Sequence, residues 1–136
     1  MCLDKIKRTE VLTEDLLVKK IVVRKYGSYS SGVYHGRDSL IDLHELNVDE
    51  SDYLIHTDDN DSYKAGFHFY TNIELSSDLY YFYVVDYRDE PSWKGHNERG
   101  VCIICRIPAG TTVTFGILAG DIVIVSPCFY FVKEEE

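Results

Sequence analysis

Apolar positions along this chain come in short runs separated by turn-forming residues, a pattern that predicts strands. The segment Leu16 to Tyr26 (LLVKKIVVRKY) is rich in β-branched residues and runs into GSYSSG, so it predicts a strand followed by a turn. In the last third, VCIICRI (Val101 to Ile107), TTVTFGIL, IVIV and CFYFV are separated by PAG, AGD and SP. This spacing predicts four short strands, as an antiparallel meander or as part of a two-layer sheet. In the middle, GFHFY alternates so that Phe67 and Phe69 share one face and His68 and Tyr70 the other. One of those faces feeds the core and the other is available to line a pocket. A single helix is expected just afterwards. Thr71 and Glu74 have the form of a capping box, and Leu75, Leu79 and Phe82 follow at helical spacing. The expected fold is therefore α+β and strand-dominated: a compact two-layer antiparallel sheet with one or two short helices, forming a single domain over residues 1–136.

Composition supports one ordinary core. A chain of 136 residues with 45% apolar residues needs no metal or disulfide staple to fold. The 13% aromatic content excludes global disorder. A formal charge of −9 disfavours general DNA or RNA binding, which needs a basic footprint. The charge is unevenly spread. Residues 1–25 hold seven basic and four acidic side chains, whereas 38–63 hold nine acids and no Lys or Arg. The acidic block reads as a solvated region with a few short strands or a helical turn, or as a deliberate negative surface. The start, MCLDKIKRTE, lacks the apolar core of a signal peptide, and no later run reaches the ~18 apolar residues of a membrane span. A cytoplasmic protein without membrane contact is expected.

Four cysteines, Cys2, Cys102, Cys105 and Cys128, read as reduced thiols in that compartment. Cys102 and Cys105 form a C-x-x-C, but on a strand positions i and i+3 face opposite ways, so their sulfurs do not converge on a metal. The run DDNDS (Asp58 to Ser62) resembles the opening of a calcium loop. It lacks the glycine and the glutamate that such a loop needs, having Tyr63 and Phe69 in their places. No metal is therefore expected. None of the five histidines has helical metal-ligand spacing, and neither a P-loop, a dinucleotide fingerprint nor G-x-S-x-G is present. Eleven tyrosines and the single tryptophan, Trp93, supply flat, rigid rings suited to stacking pockets and interfaces. Tyr80, Tyr81, Phe82 and Tyr83 cannot all face inward on one helix, which implies an exposed aromatic cluster.

Two resemblances add to this reading. KKIVVRKYGSYSSG, KAGFHFYTNIELSSDLYYF and VCIICRIPAGT resemble segments of small uncharacterised bacteriophage and prophage proteins, a family that carries no established activity. From residue 33 onward the chain also resembles the ADP-ribosyltransferase fold in its poly(ADP-ribose) polymerase branch. Val33-Tyr34-His35-Gly36 looks like the His-Gly strand. Gly66-Phe67-His68-Phe69 with the segment to Tyr80 looks like the glycine-aromatic-tyrosine element, and Asp121-Ile-Val-Ile-Val looks like the strand that bears the acid. The resemblance implies that His35 and Asp121 take two catalytic places and that His68 replaces a nicotinamide-stacking tyrosine. Asp121 is one methylene shorter than the glutamate such enzymes use, and a displacement of about 1 Å costs on the order of a hundredfold in rate.

The expected function is thus a non-enzymatic binding protein of a phage or mobile element that counteracts a host defence by sequestering a nucleotide-derived signal. No cofactor is needed. Its ligand-binding residues would be Tyr34, His35, His68, Tyr70, Tyr80, Trp93 and Arg99, with Arg37, Lys64, Arg88 and Lys94 as further local cations. One alternative is an acidic inhibitor or nucleic-acid mimic whose partner is a basic host defence protein. The other is a transferase that uses NAD. Exposed strand edges and aromatics also point to a homo-oligomer.

Overall fold

The computed structural model of the protein describes residues 3–25, 28–30, 40–50, 53–71, 99–118 and 120–135. Among them the chain forms eleven strands. The first four are β1 (Lys5–Val11), β2 (Leu16–Lys25), β3 (Ser28–Ser30) and β4 (Asn47–Val48). Next come β5 (Leu54–His56), β6 (Ser62–Lys64) and β7 (Phe67–Tyr70). The last four are β8 (Arg99–Ile107), β9 (Thr112–Leu118), β10 (Asp121–Ser126) and β11 (Cys128–Glu134). Nine belong to one antiparallel sheet in the order β1-β9-β10-β7-β2-β8-β11-β4, with β3 on β2, and β5-β6 form a separate hairpin. The strand-dominated expectation is met. The helix expected over residues 71–82 lies almost wholly outside the described residues, as do Tyr34, His35, Tyr80 and Trp93.

The C-terminal strands are not a simple meander. Only β9 and β10 pair as chain neighbours, while β8 pairs with β2 along nine residue pairs and with β11 on its other side. The reason is in VCIICRI itself. A strand that is apolar on both faces must be central and covered from both sides. Cys102 accordingly packs with Ile21 and Tyr70 in one cluster, whereas Cys105 packs with Val18 and Phe129 in the other. The two thiols of the C-x-x-C face opposite ways, as strand geometry requires, and both are free. Burial pushes each thiol up to about 12.

The large sheet is strongly curled. Phe129 of β11 meets Phe67 and Phe69 of β7 edge to face, with ring centroids 4.8 and 5.2 Å apart. These strands are three steps apart, which in a flat sheet is roughly 14 Å at ~4.8 Å per step. The sheet therefore folds over the cluster formed by Val18, Val22, Phe69, Ile103, Ile107, Ile124 and Phe129. Two corners make the bend. At one, Pro127 alone separates β10 from β11, and the Ser126 hydroxyl donates to the Cys128 carbonyl at 2.7 Å. At the other, the β1-β2 and β8-β9 connections turn together. Leu12 N–H donates to Thr111 O, Gly110 N–H donates to Leu12 O, and the Asp15 carboxylate accepts from Ala109 N–H at 2.8 Å. Gly110 sits at φ 87°, a region open mainly to glycine.

The outer face is covered by the β5-β6 hairpin and Leu3. Ile55, Tyr63 and Ala65 pack there on Ile21, Tyr70, Val123 and Val125. The described part of the acidic block is thus a set of short strands and turns held down by a few apolar anchors, with Asp42, Glu45, Glu50, Asp58, Asp59 and Asp61 exposed and Asp49 half-buried. Asp58, Asp59 and Asp61 are exposed in the β5-β6 turn, where Asn60 adopts φ 61° and Thr57 N–H donates to Asp61 O. The run that resembles a calcium loop is that turn. Among the described residues no helix is long and apolar enough to cross a membrane.

One residue breaks the apolar pattern inside the curl. Alternation places Lys20 between Val18 and Val22, facing inward, with only 7% of its surface exposed. Its ammonium donates to the His68 carbonyl at 3.0 Å and lies 5.2 Å from the centre of the Phe69 ring. Desolvation pulls its pKa down from 10.5 to about 8.

Candidate functional site

A cleft of about 520 Å3 opens where the outer hairpin meets the β1-β9 edge of the sheet. Its position follows from strand alternation. On β9, Val113 and Phe115 point into the curl, which leaves Thr112 and Thr114 on the outer face. Thr9 of β1 lies directly opposite Thr114, and Val125 of β10 lies opposite Thr114 on the other side. The β5-β6 hairpin brings Ser62, Tyr63 and Lys64 against this row, and the corner residues Pro127 and Cys128 close one end with Thr111.

The wall is rich in hydroxyls. Thr9, Ser62, Thr111, Thr112 and Thr114 all line it, and each hydroxyl is both donor and acceptor. Among the described residues Lys64 is the only charged one that lines the cleft, and no described Asp or Glu does. The contrast with a second hollow is informative: a space of about 220 Å3 over the β1-β2 connection is lined by Glu10, Glu14 and Asp15. Cys128 adds a half-buried thiol whose sulfur is 3.6 Å from the Thr111 hydroxyl. The cleft can therefore hold a ligand that both donates and accepts hydrogen bonds and carries a negative group beside Lys64.

His68 lies beneath this wall. Val125 pairs with His68 in register, which puts the histidine in the same cross-strand row as Thr9 and Thr114. Its ring stands edge to face against Tyr63 at 6.4 Å, and its Nδ1 is 3.2 Å from the Gly66 carbonyl. Tyr63 is held in turn by Leu3 N–H, which donates to its hydroxyl at 3.0 Å. Gly66 is needed here because a Cβ would lie 2.6 Å from the Ser126 carbonyl oxygen. The G-F-H element thus packs Phe67 and Phe69 against one core and buries His68 under the cleft.

The remaining sequence-selected residues are placed as follows. Tyr70 is buried in the outer cluster with Ile21 and Cys102, away from the cleft. Asp121 is exposed at the start of β10, next to Gly120 at φ 84°. Arg99 opens β8 opposite Arg24. Lys64 lines the cleft, whereas Arg37, Arg88 and Lys94 lie outside the described residues. The threonines were not singled out from sequence. Their signal is the T-V-T-F alternation of residues 112–115, readable as a hydroxyl face opposite an apolar one. No family model matches the chain, and no curated protein and no solved structure shows significant similarity to it.

Proposed function

We propose that the protein is a binding protein that sequesters a small nucleotide-derived anion in the threonine-lined cleft, in the service of a phage or mobile element acting against a host defence. The observation that carries the binding reading is the composition of the cleft. Among the described residues, five Ser and Thr hydroxyls with that of Tyr63 and one lysine, without a lining carboxylate, make a locally hospitable site for an anion in a chain of charge −9. Ribose hydroxyls and a phosphate are the groups such a wall satisfies. The phage setting rests on the sequence resemblance alone. The transferase-like architecture, with a short helix after Thr71, belongs to the same proposal as the source of a nucleotide ligand class; of the residues that carry that resemblance, His68 is buried under the cleft and Asp121 is exposed at the start of β10, so the cleft itself carries the binding reading.

Thermal unfolding in the presence of cyclic dinucleotides, ADP-ribose species and NAD tests this. A ligand at a hundred times its Kd adds about 2.7 kcal/mol of stability. Lys64→Ala and Thr112→Val should each weaken the response to the ligand that gives it. If no nucleotide shifts the transition, sequestration is wrong. Nicotinamide release from NAD that His35→Ala or Asp121→Ala abolishes would favour the transferase instead.

A second reading has its own observation. Asp42, Glu45, Glu50, Asp58, Asp59 and Asp61 are all exposed on the block over residues 40–61. That surface suits an inhibitor of a basic host protein, and its signature would be binding that falls steeply with salt.

A further inference from the structure

The two ends of the large sheet carry opposite charge. Among the described residues β1 closes one end of the strand order, pairing only with β9, and β4 closes the other, pairing only with β11. β1 reads KIKRTEV and is exposed along nearly its whole length. Arg8 is engaged, 3.6 Å from Glu10 and over the Phe115 ring, whereas Lys5 and Lys7 have no ion pair among the described residues. β4 sits in the acidic block, where Glu45 and Glu50 flank it in sequence and are exposed.

The β4 end also presents aliphatic surface. Leu40 is 73% and Val48 54% exposed, and Leu43 and Leu46 lie partly open between them. This segment is fixed rather than slack. Ile41 is buried in the inner cluster, Asn47 Oδ1 accepts from Asp42 N–H at 2.8 Å, and Asp42 accepts from His44 and Glu45 N–H. Four outward aliphatic side chains on a pinned loop form a docking surface that needs little ordering on contact.

We propose that β1 of one copy docks on the β4 end of a second copy, extending the sheet from molecule to molecule. Charge selects this pairing over the others. Two β1 edges would set Lys5, Lys7 and Arg8 against their own kind, and two β4 ends would oppose their carboxylates, so each edge repels itself. Of these three pairings, β1 against β4 alone brings the end that carries Lys5 and Lys7 to the end that carries Glu45 and Glu50, and Val11, 60% exposed, adds apolar surface to a contact with the Leu40-to-Val48 aliphatics. The contact is head to tail, so it yields a closed ring or an open chain rather than a two-fold dimer. The inference stands apart from the ligand reading, since none of these charged groups lines the cleft.

Sedimentation velocity of the full chain, from about 10 µM to about 1 mM, is the test, a range suited to a contact of modest affinity. The expected result is association that grows with concentration and weakens at least tenfold in high salt. Lys5→Glu with Lys7→Glu should reduce association tenfold or more, and so should Glu45→Lys with Glu50→Lys. All four positions are exposed, and unchanged melting curves confirm intact folds. Mixing the two double variants in equal amounts should restore association, because each supplies the charge the other lacks. A chain that stays monomeric throughout overturns the proposal. So do charge reversals that leave association unchanged, or a mixture that fails to associate.

Discussion

Replacing Lys20 with methionine should make the protein more stable at neutral pH. Lys20 occupies an interior otherwise built from Val18, Val22, Phe69 and Ile103, and among the described residues its ammonium has one hydrogen-bond acceptor, the His68 carbonyl. Burial lowers its pKa from 10.5 to about 8. At about 1.4 kcal/mol per factor of ten in proton affinity, keeping the charge inside at pH 7 costs on the order of 3 kcal/mol. Methionine has a similar length and adapts to irregular space, and loss of the bond to His68 O offsets about 1 kcal/mol of the gain. The net expectation is a stabilisation of roughly 2 kcal/mol, or a rise of about 5–10 °C in Tm for a domain of this size. The sign with pH follows from linkage. Between about pH 8 and 10.5 the unfolded chain binds the proton that the folded chain has released, so wild-type stability from this group rises with pH. Below pH 8 the full cost is present. Urea unfolding of both proteins at pH 7, 8, 9 and 10 should show a gap that is widest at pH 7 and narrows as the pH rises. A variant that is less stable at pH 7, or a gap that stays constant to pH 10, refutes the assignment of Lys20 as an inward-facing, desolvated cation.

Three further outcomes are expected. Gly66→Ala should destabilise the fold by about 1–3 kcal/mol in denaturant unfolding, because the new Cβ meets the main chain of Ser126, which cannot move aside as a flexible side chain would. Asp15→Ala should lower Tm at pH 7. The carboxylate holds the corner through Ala109 N–H and Arg106, and these contacts lower its pKa, so its contribution is present above the usual carboxylate range and is lost as pH falls through the lowered value. The difference from wild type should therefore shrink in acid, and a difference that persists at pH 2 would count against it. Alkylation read by peptide mass spectrometry should modify Cys128 in the native protein while Cys102 and Cys105, both buried and with their thiols pushed up to about 12, react only after urea unfolds the chain.

The strands were the most legible part of the sequence. VCIICRI, IVIV and LLVKKIVVRK carry β-branched residues between turn signals, and period-two alternation correctly sent Cys102 and Cys105 to opposite faces. The same rule separated Phe67 and Phe69 from His68 and Tyr70. What alternation leaves undefined is what covers each face. The face of His68 and Tyr70 was available to line a pocket; the β5-β6 hairpin lies over it and both side chains are buried, with Ile55, Tyr63 and Ala65 packed against Tyr70 and its neighbours.

The sequence by itself determined β2, β7 and the four C-terminal strands, the side to which their residues point and where charge concentrates, since these depend on neighbours one to four positions away; it did not pick out β1, whose KIKRTEV is mostly polar, nor β3, which lies in the GSYSSG run read as a turn. The tertiary structure alone decided that β8 sits between β2 and β11, that the sheet curls far enough for Phe129 to meet Phe67 and Phe69, and that Thr9, Ser62, Thr112 and Lys64 converge on one cleft. Those facts come from pairings between residues more than a hundred positions apart, as in Lys5 with Ile117, whose partners are chosen by the joint burial of several apolar faces. No local pattern encodes that choice. Lys20 shows the same division: its inward direction was readable from Val18 and Val22, but its loss of solvent arose only when the sheet curled and set the Phe67 and Phe69 rings of β7 beside it.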